Sequence, residues 1–363
     1  LVGAMLGNGD HQLAAPAGST GGPAGPEGAE QWFVSQRAAP DGAVHFEARA
    51  QALAAAHAMQ ARVTRGMAAG AVPSVWASLG PTNIGGRITD LVGDPANENL
   101  LYVATASGGV WKTIDGGGSW SAIFDGQGSL AIGAIAGEPA NPGILYVGTG
   151  EANPGGGSLA YGGDGVWKSL DGGASWRHLG LAATSSIGRI AVDPLRHSHV
   201  FAAAMGDLFS PNPDRGLYRS LDGGAWWSRV LFVNDSTGCV DVAIDPAHPD
   251  RVYAATWERT RRASTRTYGG AGSGVWRSLD GGTTWTRLAG GLPPASANSG
   301  RIGIALAPSA PLTLYAIYSD AAGTFTGFYR SLDGGDTWTQ TEGGPLAIDS
   351  PYCWWFGRIW VNP

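Results

Sequence analysis

One eight-residue phrase recurs five times in this chain and limits its fold more than any other feature. It reads Thr113-Ile-Asp115-Gly-Gly-Gly-Ser-Trp120, then Ser169-Leu-Asp171-Gly-Gly-Ala-Ser-Trp176, then Ser220-Leu-Asp222-Gly-Gly-Ala-Trp-Trp227. The last two copies are Ser278-Leu-Asp280-Gly-Gly-Thr-Thr-Trp285 and Ser331-Leu-Asp333-Gly-Gly-Asp-Thr-Trp338. Successive aspartates lie 56, 51, 58 and 53 residues apart. A period of about fifty residues with strand-like flanks means one supersecondary unit repeated around an axis, a β-propeller.

The phrase itself reads as scaffold. Its Asp accepts hydrogen bonds from the turn's own N–H groups, and the Ser or Thr hydroxyl assists. The paired glycines take positive φ without a Cβ clash. The Trp begins the outgoing strand and packs between blades. Asp115, Asp171, Asp222, Asp280 and Asp333 are therefore structural in this reading. The one carboxylate that every copy shares is a thin set for calcium, which takes about six oxygens or more. No metal site and no cofactor is expected.

Three further runs complete each period. An inner run closes on proline, at Pro95, Pro139, Pro194, Pro246, Pro308 and Pro363. A second carries an aromatic, as in Leu101-Tyr102-Val103, and a third resembles Val110-Trp111-Lys112. Four short strands per period make a propeller blade. The expected fold is all-β, with five full blades and a sixth begun, and with the natural chain continuing past Pro363. Val75-Trp76-Ala77-Ser78-Leu79 resembles a fourth strand and is expected to complete the last blade. An open ring would leave bare strand edges.

The expected organisation is a low-complexity, disordered segment over 1–30, a helical lead-in over 31–72 and the propeller over 73–363. The lead-in holds two helical patterns, 31–37 and 44–68. A net charge of −6 argues against a nucleic-acid partner. No apolar run reaches the length of a membrane span. Cys239 and Cys353 are too few for a disulfide framework. His197 and His199 share a turn, without a metal spacing.

Function belongs on the face opposite the phrases, where the second-to-third-strand loops vary in length: 105–109, 149–165, 205–216, 256–274 and 318–327. Glu151, Asp164, Asp207, Glu258 and Asp320 lie there. Arg87, Arg189, Arg301 and Arg358 each follow the Gly that opens an inner strand, and so are expected to ring the channel mouth. Trp257, Trp354 and Trp355 stand outside the repeat. Rings stack on sugar faces, and acids and guanidinium groups take hydroxyls or carboxylates, so these residues form the candidate ligand site. Glu151 and Glu258 are the best candidates for a catalytic pair, if the chain is a glycoside hydrolase. A purely structural reading stands beside this one. The arginines serve as inter-blade struts, the two glutamates pair with them, and Trp354-Trp355 is core. Arg259, Arg261, Arg262 and Arg266 read as a solvated loop.

The phrase Ser/Thr-x-Asp-x-Gly-x-x-Trp resembles the Asp-box, or BNR, signature shared by sialidases, xyloglucan-cleaving glycosidases and sortilin-type receptor propellers. Residues 76–363 resemble the secreted bacterial BNR-repeat proteins grouped with sortilin N-terminal domains, through Leu79-Gly-Pro-Thr-Asn-Ile-Gly-Gly-Arg87, Gly148-Thr-Gly-Glu-Ala-Asn153 and Ala255-Thr-Trp-Glu-Arg259. The resemblance implies a propeller placed outside the cell: secreted, periplasmic or on the cell surface. It carries over no catalytic set. Where xyloglucanases have Arg-Thr-Asp-Ile-Gly-Gly, this chain has Ala104-Thr-Ala-Ser-Gly-Gly109, without a carboxylate. Where sialidases have Arg-Ile-Pro, it has Arg87-Ile88-Thr89. Three functions follow: a binding module for an extracellular glycan or peptide, a polysaccharide hydrolase, and a non-catalytic assembly propeller.

Overall fold

The structure is a computed structural model that describes residues 86–153, 162–261, 266–341 and 353–361, with Gln51, Ala52, Ala55, Ala58 and Met59 ahead of them. Those five are helical and fall inside the 44–68 pattern. Residues 1–30, most of the lead-in and the strand expected at Trp76 lie outside the described residues.

Five four-stranded antiparallel sheets follow one another along the chain. Blade 1 is β1 (Ile88–Asp94), β2 (Asn97–Thr105), β3 (Val110–Thr113) and β4 (Ser121–Ala122). Blade 2 is β5 (Ile132–Glu138), β6 (Asn141–Thr149), β7 (Val166–Ser169) and β8 (Arg177–His178). Blade 3 is β9 (Ile187–Val192), β10 (Val200–Ala204), β11 (Gly216–Ser220) and β12 (Ser228–Leu231). Blade 4 is β13 (Thr237–Ile244), β14 (Val252–Glu258), β17 (Gly274–Ser278) and β18 (Thr286–Arg287), with a small hairpin, β15 (Thr260–Arg261) and β16 (Arg266–Thr267), in its long loop. Blade 5 is β19 (Ser299–Ala307), β20 (Ala310–Asp320), β21 (Phe325–Ser331) and β22 (Thr339–Thr341). The first strands stand in sequence around the centre, β1 against β5, β5 against β9, β9 against β13 and β13 against β19. The fourth strands begin one residue after the phrase's Trp rather than on it.

Each phrase closes on itself. The Ser or Thr hydroxyl donates to its Asp at 2.7 or 2.8 Å and accepts the second glycine's N–H. Both glycines of every copy have positive φ, from 67° to 98°, which is why a side chain is excluded there. The first glycine's N–H bonds the first-to-second-strand turn of its own blade or the start of the second strand, as in Gly281 to Asp250 and Gly172 to Gly143. Its carbonyl accepts from a cation on the third strand of the preceding blade. Lys112 reaches Gly172, Lys168 reaches Gly223, Arg219 reaches Gly281 and Arg277 reaches Gly334. The phrase thus fastens one blade to the next.

Apolar residues fill the gaps between blades. Tyr146, Val166, Ile187 and Ile190 pack in one cluster, and Phe201, Leu217, Cys239 and Val242 in another. Ile132 and Ile135 on β5 are 0% and 4% exposed. Their counterparts on β1, Ile88 and Leu91, hold the same register yet are 62% and 56% exposed. No described blade covers that flank.

The first strands share a β-bulge. Thr89, Gly133, Gly188 and Val240 are each the extra residue in blades 1 to 4. A bulge re-aims the next side chain and frees a backbone group. Blade 5 has its irregularity earlier, between Ser299 and Ile302. The expected sixth inner strand is absent among the described residues. A short helix, α1 (Cys353–Phe356), leads into 357–361, which pair with no strand but pack on β19, Gly357 against Gly303. A strand needs a ladder partner, and no described second strand lies beside this segment.

Candidate binding face

The bulges build an ion cluster where the first strands meet. The residues that follow them include Asp90, Arg189 and Asp241. Asp90 accepts the N–H of Leu91 and, from the next blade, of Ile135. Asp241 does the same with Val242 and Ile304. Arg189 lies 3.4 Å from Asp90 and 3.6 Å from Asp241, with its side chain 24% exposed. Burial works against its charge, and the two aspartates more than offset that, so its pKa is raised. Arg358 donates to the carbonyls of Thr89, Gly133 and Gly188, the extra residues of three successive bulges, at 2.5, 3.1 and 2.9 Å. Its role among the described contacts is structural.

The four arginines therefore do not form one ring. Arg189 and Arg358 lie in the central cluster. Arg87 pairs through both terminal nitrogens with Glu151, which is 4% exposed, and lies 5.1 Å from the Trp355 ring centre. Arg301 is 1% exposed, and its guanidinium nitrogens have no hydrogen-bond partner among the described residues. Burial, with Arg358 next, pushes its pKa down to about 9.

The loop carboxylates are also committed. Glu258 accepts the Gly272 N–H at 2.8 Å, and its carboxylate fills the space where a side chain on Gly270 would go. Asp164 accepts from Thr149 and from the Trp167 indole. Asp207 accepts from Phe209 and Ser210, and burial raises its pKa. Asp320 caps its own short loop through Ala322 and Thr324. Glu151 and Glu258 sit on blades 2 and 4 with separate partners.

The long loops of blades 2, 3 and 4 are knitted together, which the sequence did not reveal. Arg259 donates to Ala152 O, and Arg215 donates to the carbonyls of Asp207, Ser236 and Arg259. Arg261 N bonds Leu208 O. Arg259 and Arg261 are 0% and 2% exposed, so the solvated-loop reading fails for them. Loop carbonyls turned inward need donors, and a guanidinium supplies up to about five. Trp257 is wholly buried, with its indole donating to Tyr268 O, and offers no ring face to a ligand. Arg262 and the side chains of Arg266 and Trp354 lie outside the described residues. His197 sits beside Glu138 at 3.1 Å on the phrase side.

No family model matches the chain. A xyloglucanase from Paenibacillus sp is 25% identical over 309 residues, covering 78% of this chain and 28% of that protein. A xyloglucanase from Hypocrea jecorina is 25% identical over 300 residues, covering 72% of this chain and 33% of its own length. This chain thus spans about a third of the curated relatives it matches. Among solved structures, an ancestral GH74 enzyme superposes with a TM-score of 0.55 at 27% identity, over 76% of this chain and 33% of that one. The Niastella koreensis GH74 enzyme gives 0.52 at 21% identity, over 70% and 38%. The chain is distantly related to GH74 xyloglucanase β-propellers.

Proposed function

We propose that the chain is a binding propeller that acts outside the cell, holding a glycan or peptide on its long-loop face without cleaving it. One observation carries this reading. Both candidate catalytic carboxylates are already engaged, Glu151 by Arg87 and Glu258 by the Gly272 N–H. A hydrolase needs one carboxyl poised to give a proton and another free to attack or to activate water. The loop Thr105–Gly109 adds no third acid.

Hydrolysis is the second reading, because the curated relatives are xyloglucanases. A panel of polysaccharides that includes xyloglucan separates the two. Binding is expected by affinity electrophoresis, without release of reducing ends. Reducing ends released by the natural chain and lost in Glu151→Gln or Glu258→Gln would overturn the binding reading. No binding and no release across glycans and peptides would leave the assembly propeller as the better account.

A further inference from the structure

We propose that Arg301 is an anion site and that its ligand is a carboxylate. Arg301 is 1% exposed, yet none of its guanidinium nitrogens has a hydrogen-bond partner among the described residues. Its backbone is secured, with N–H and carbonyl both on the Ser319 hydroxyl, so its place is fixed while its charged end is unmatched. Buried polar atoms are paired in nearly all structures, and an orphan marks a missing water or ion. A guanidinium left alone in the interior is far more costly than an orphan hydroxyl.

The described surroundings do not supply the missing charge. Two acidic groups act on Arg301: Asp241, whose oxygens already take Val242 N, Ile304 N and Arg189, and the Cys353 thiol, which burial pushes up to about 11 and so keeps neutral. The other charged neighbours are cations. Arg358 and Arg189 act on Arg301, and Arg301 in turn acts on Arg259. The central cluster sets Arg189 and Arg358 against Asp90 and Asp241, and Arg301 beside it is a third cation with no ion-pair partner among the described residues. One negative charge is wanting. The Gly357 backbone packs against Nη1, where an added Cβ would stand only 3.2 Å away, so that edge is closed and Nε and Nη2 are the donors left for a ligand. A carboxylate presents two oxygens to the planar fork of an arginine and supplies one charge.

The proposal deepens the binding reading, on which it rests only for the ligand's carrier: an acidic sugar or a peptide carboxyl. Acetate tests the site alone. It is titrated at constant ionic strength against fluoride while the unfolding midpoint is followed. The natural chain should gain about 2–5 °C as the site saturates. Arg301→Met should start at a higher midpoint without acetate and stay flat. Equal rises in both proteins, or no rise in the natural chain, would overturn the site. Should Arg301→Met not fold, crystals of the natural chain soaked in bromoacetate decide the matter. A bromine peak beside Arg301 supports the site, and its absence sinks it. A polyuronate against a neutral oligosaccharide then tests the carrier. An acetate response with no glycan or peptide binding keeps the site and removes the binding reading. Neutral-glycan binding without an acetate response does the reverse.

Discussion

The phrase aspartates are exposed, yet their chemistry is that of held groups. The Ser119 hydroxyl, then Thr113, lowers the pKa of Asp115 to about 2, and Ser175 and Ser169 do the same for Asp171. An unfolded chain's carboxyl takes its proton near pH 3.9. Between those values the unfolded chain binds more protons, so this contribution is complete above about pH 4 and lost as pH falls toward about 2. Acid titration of the unfolding midpoint should show that loss, and Asp171→Asn should flatten part of it. The third copy differs. Trp226 stands where Ser119, Ser175, Thr284 and Thr337 give a hydroxyl to their aspartates, and it is 75% exposed. Trp226→Ser should restore that donor, raise the midpoint and lower the Asp222 titration further, as followed by NMR. Ser169→Ala removes a buried hydroxyl that serves both Asp171 and the Gly173 N–H. It should cost about 1–2 kcal/mol in denaturant unfolding.

At the scale of strands and loops, the sequence was legible wherever contacts are local and repeated. The phrase's bonds span two to four residues, so each copy displays its own turn, and in all five blades the first strand ends and the fourth begins close to where the periodicity puts them. The arginines misled for a specific reason. Following a glycine is not a repeat position. Arg189 and Arg358 precede their inner-strand prolines by five residues, Arg301 by seven and Arg87 by eight. A bulge makes each step consequential, since one residue's shift turns a side chain to the other face. The knitted loops were hidden too, because Arg259 and Ala152 are 107 residues apart and no pattern joins them. Burial sets a further expectation for the strands. Ile135→Ala should cost about 2–4 kcal/mol, whereas Leu91→Ala, on the uncovered flank, should cost under about 1 kcal/mol. Equal costs would mean that something covers β1 in solution.

For the molecule as a whole, Arg358 is the test of the centre. It satisfies the freed carbonyls of three bulges, from Thr89, Gly133 and Gly188, and faces Asp90 at 3.7 Å. Arg358→Met should destabilise by about 3–5 kcal/mol, because it strands all three carbonyls and takes one of two cations from Asp90. The same blades are also joined farther out, by the lysines and arginines that reach the phrase glycines. Mechanically, these are two sets of fastenings at different radii. A spoke pinned at one point can pivot, but a spoke pinned at hub and rim cannot. A blade can tilt against its neighbour only if the inner and outer bonds break together. The five described blades are therefore held stiffly against their neighbours, and a displacement imposed at one loop is passed along the row of blades instead of being absorbed where it arises.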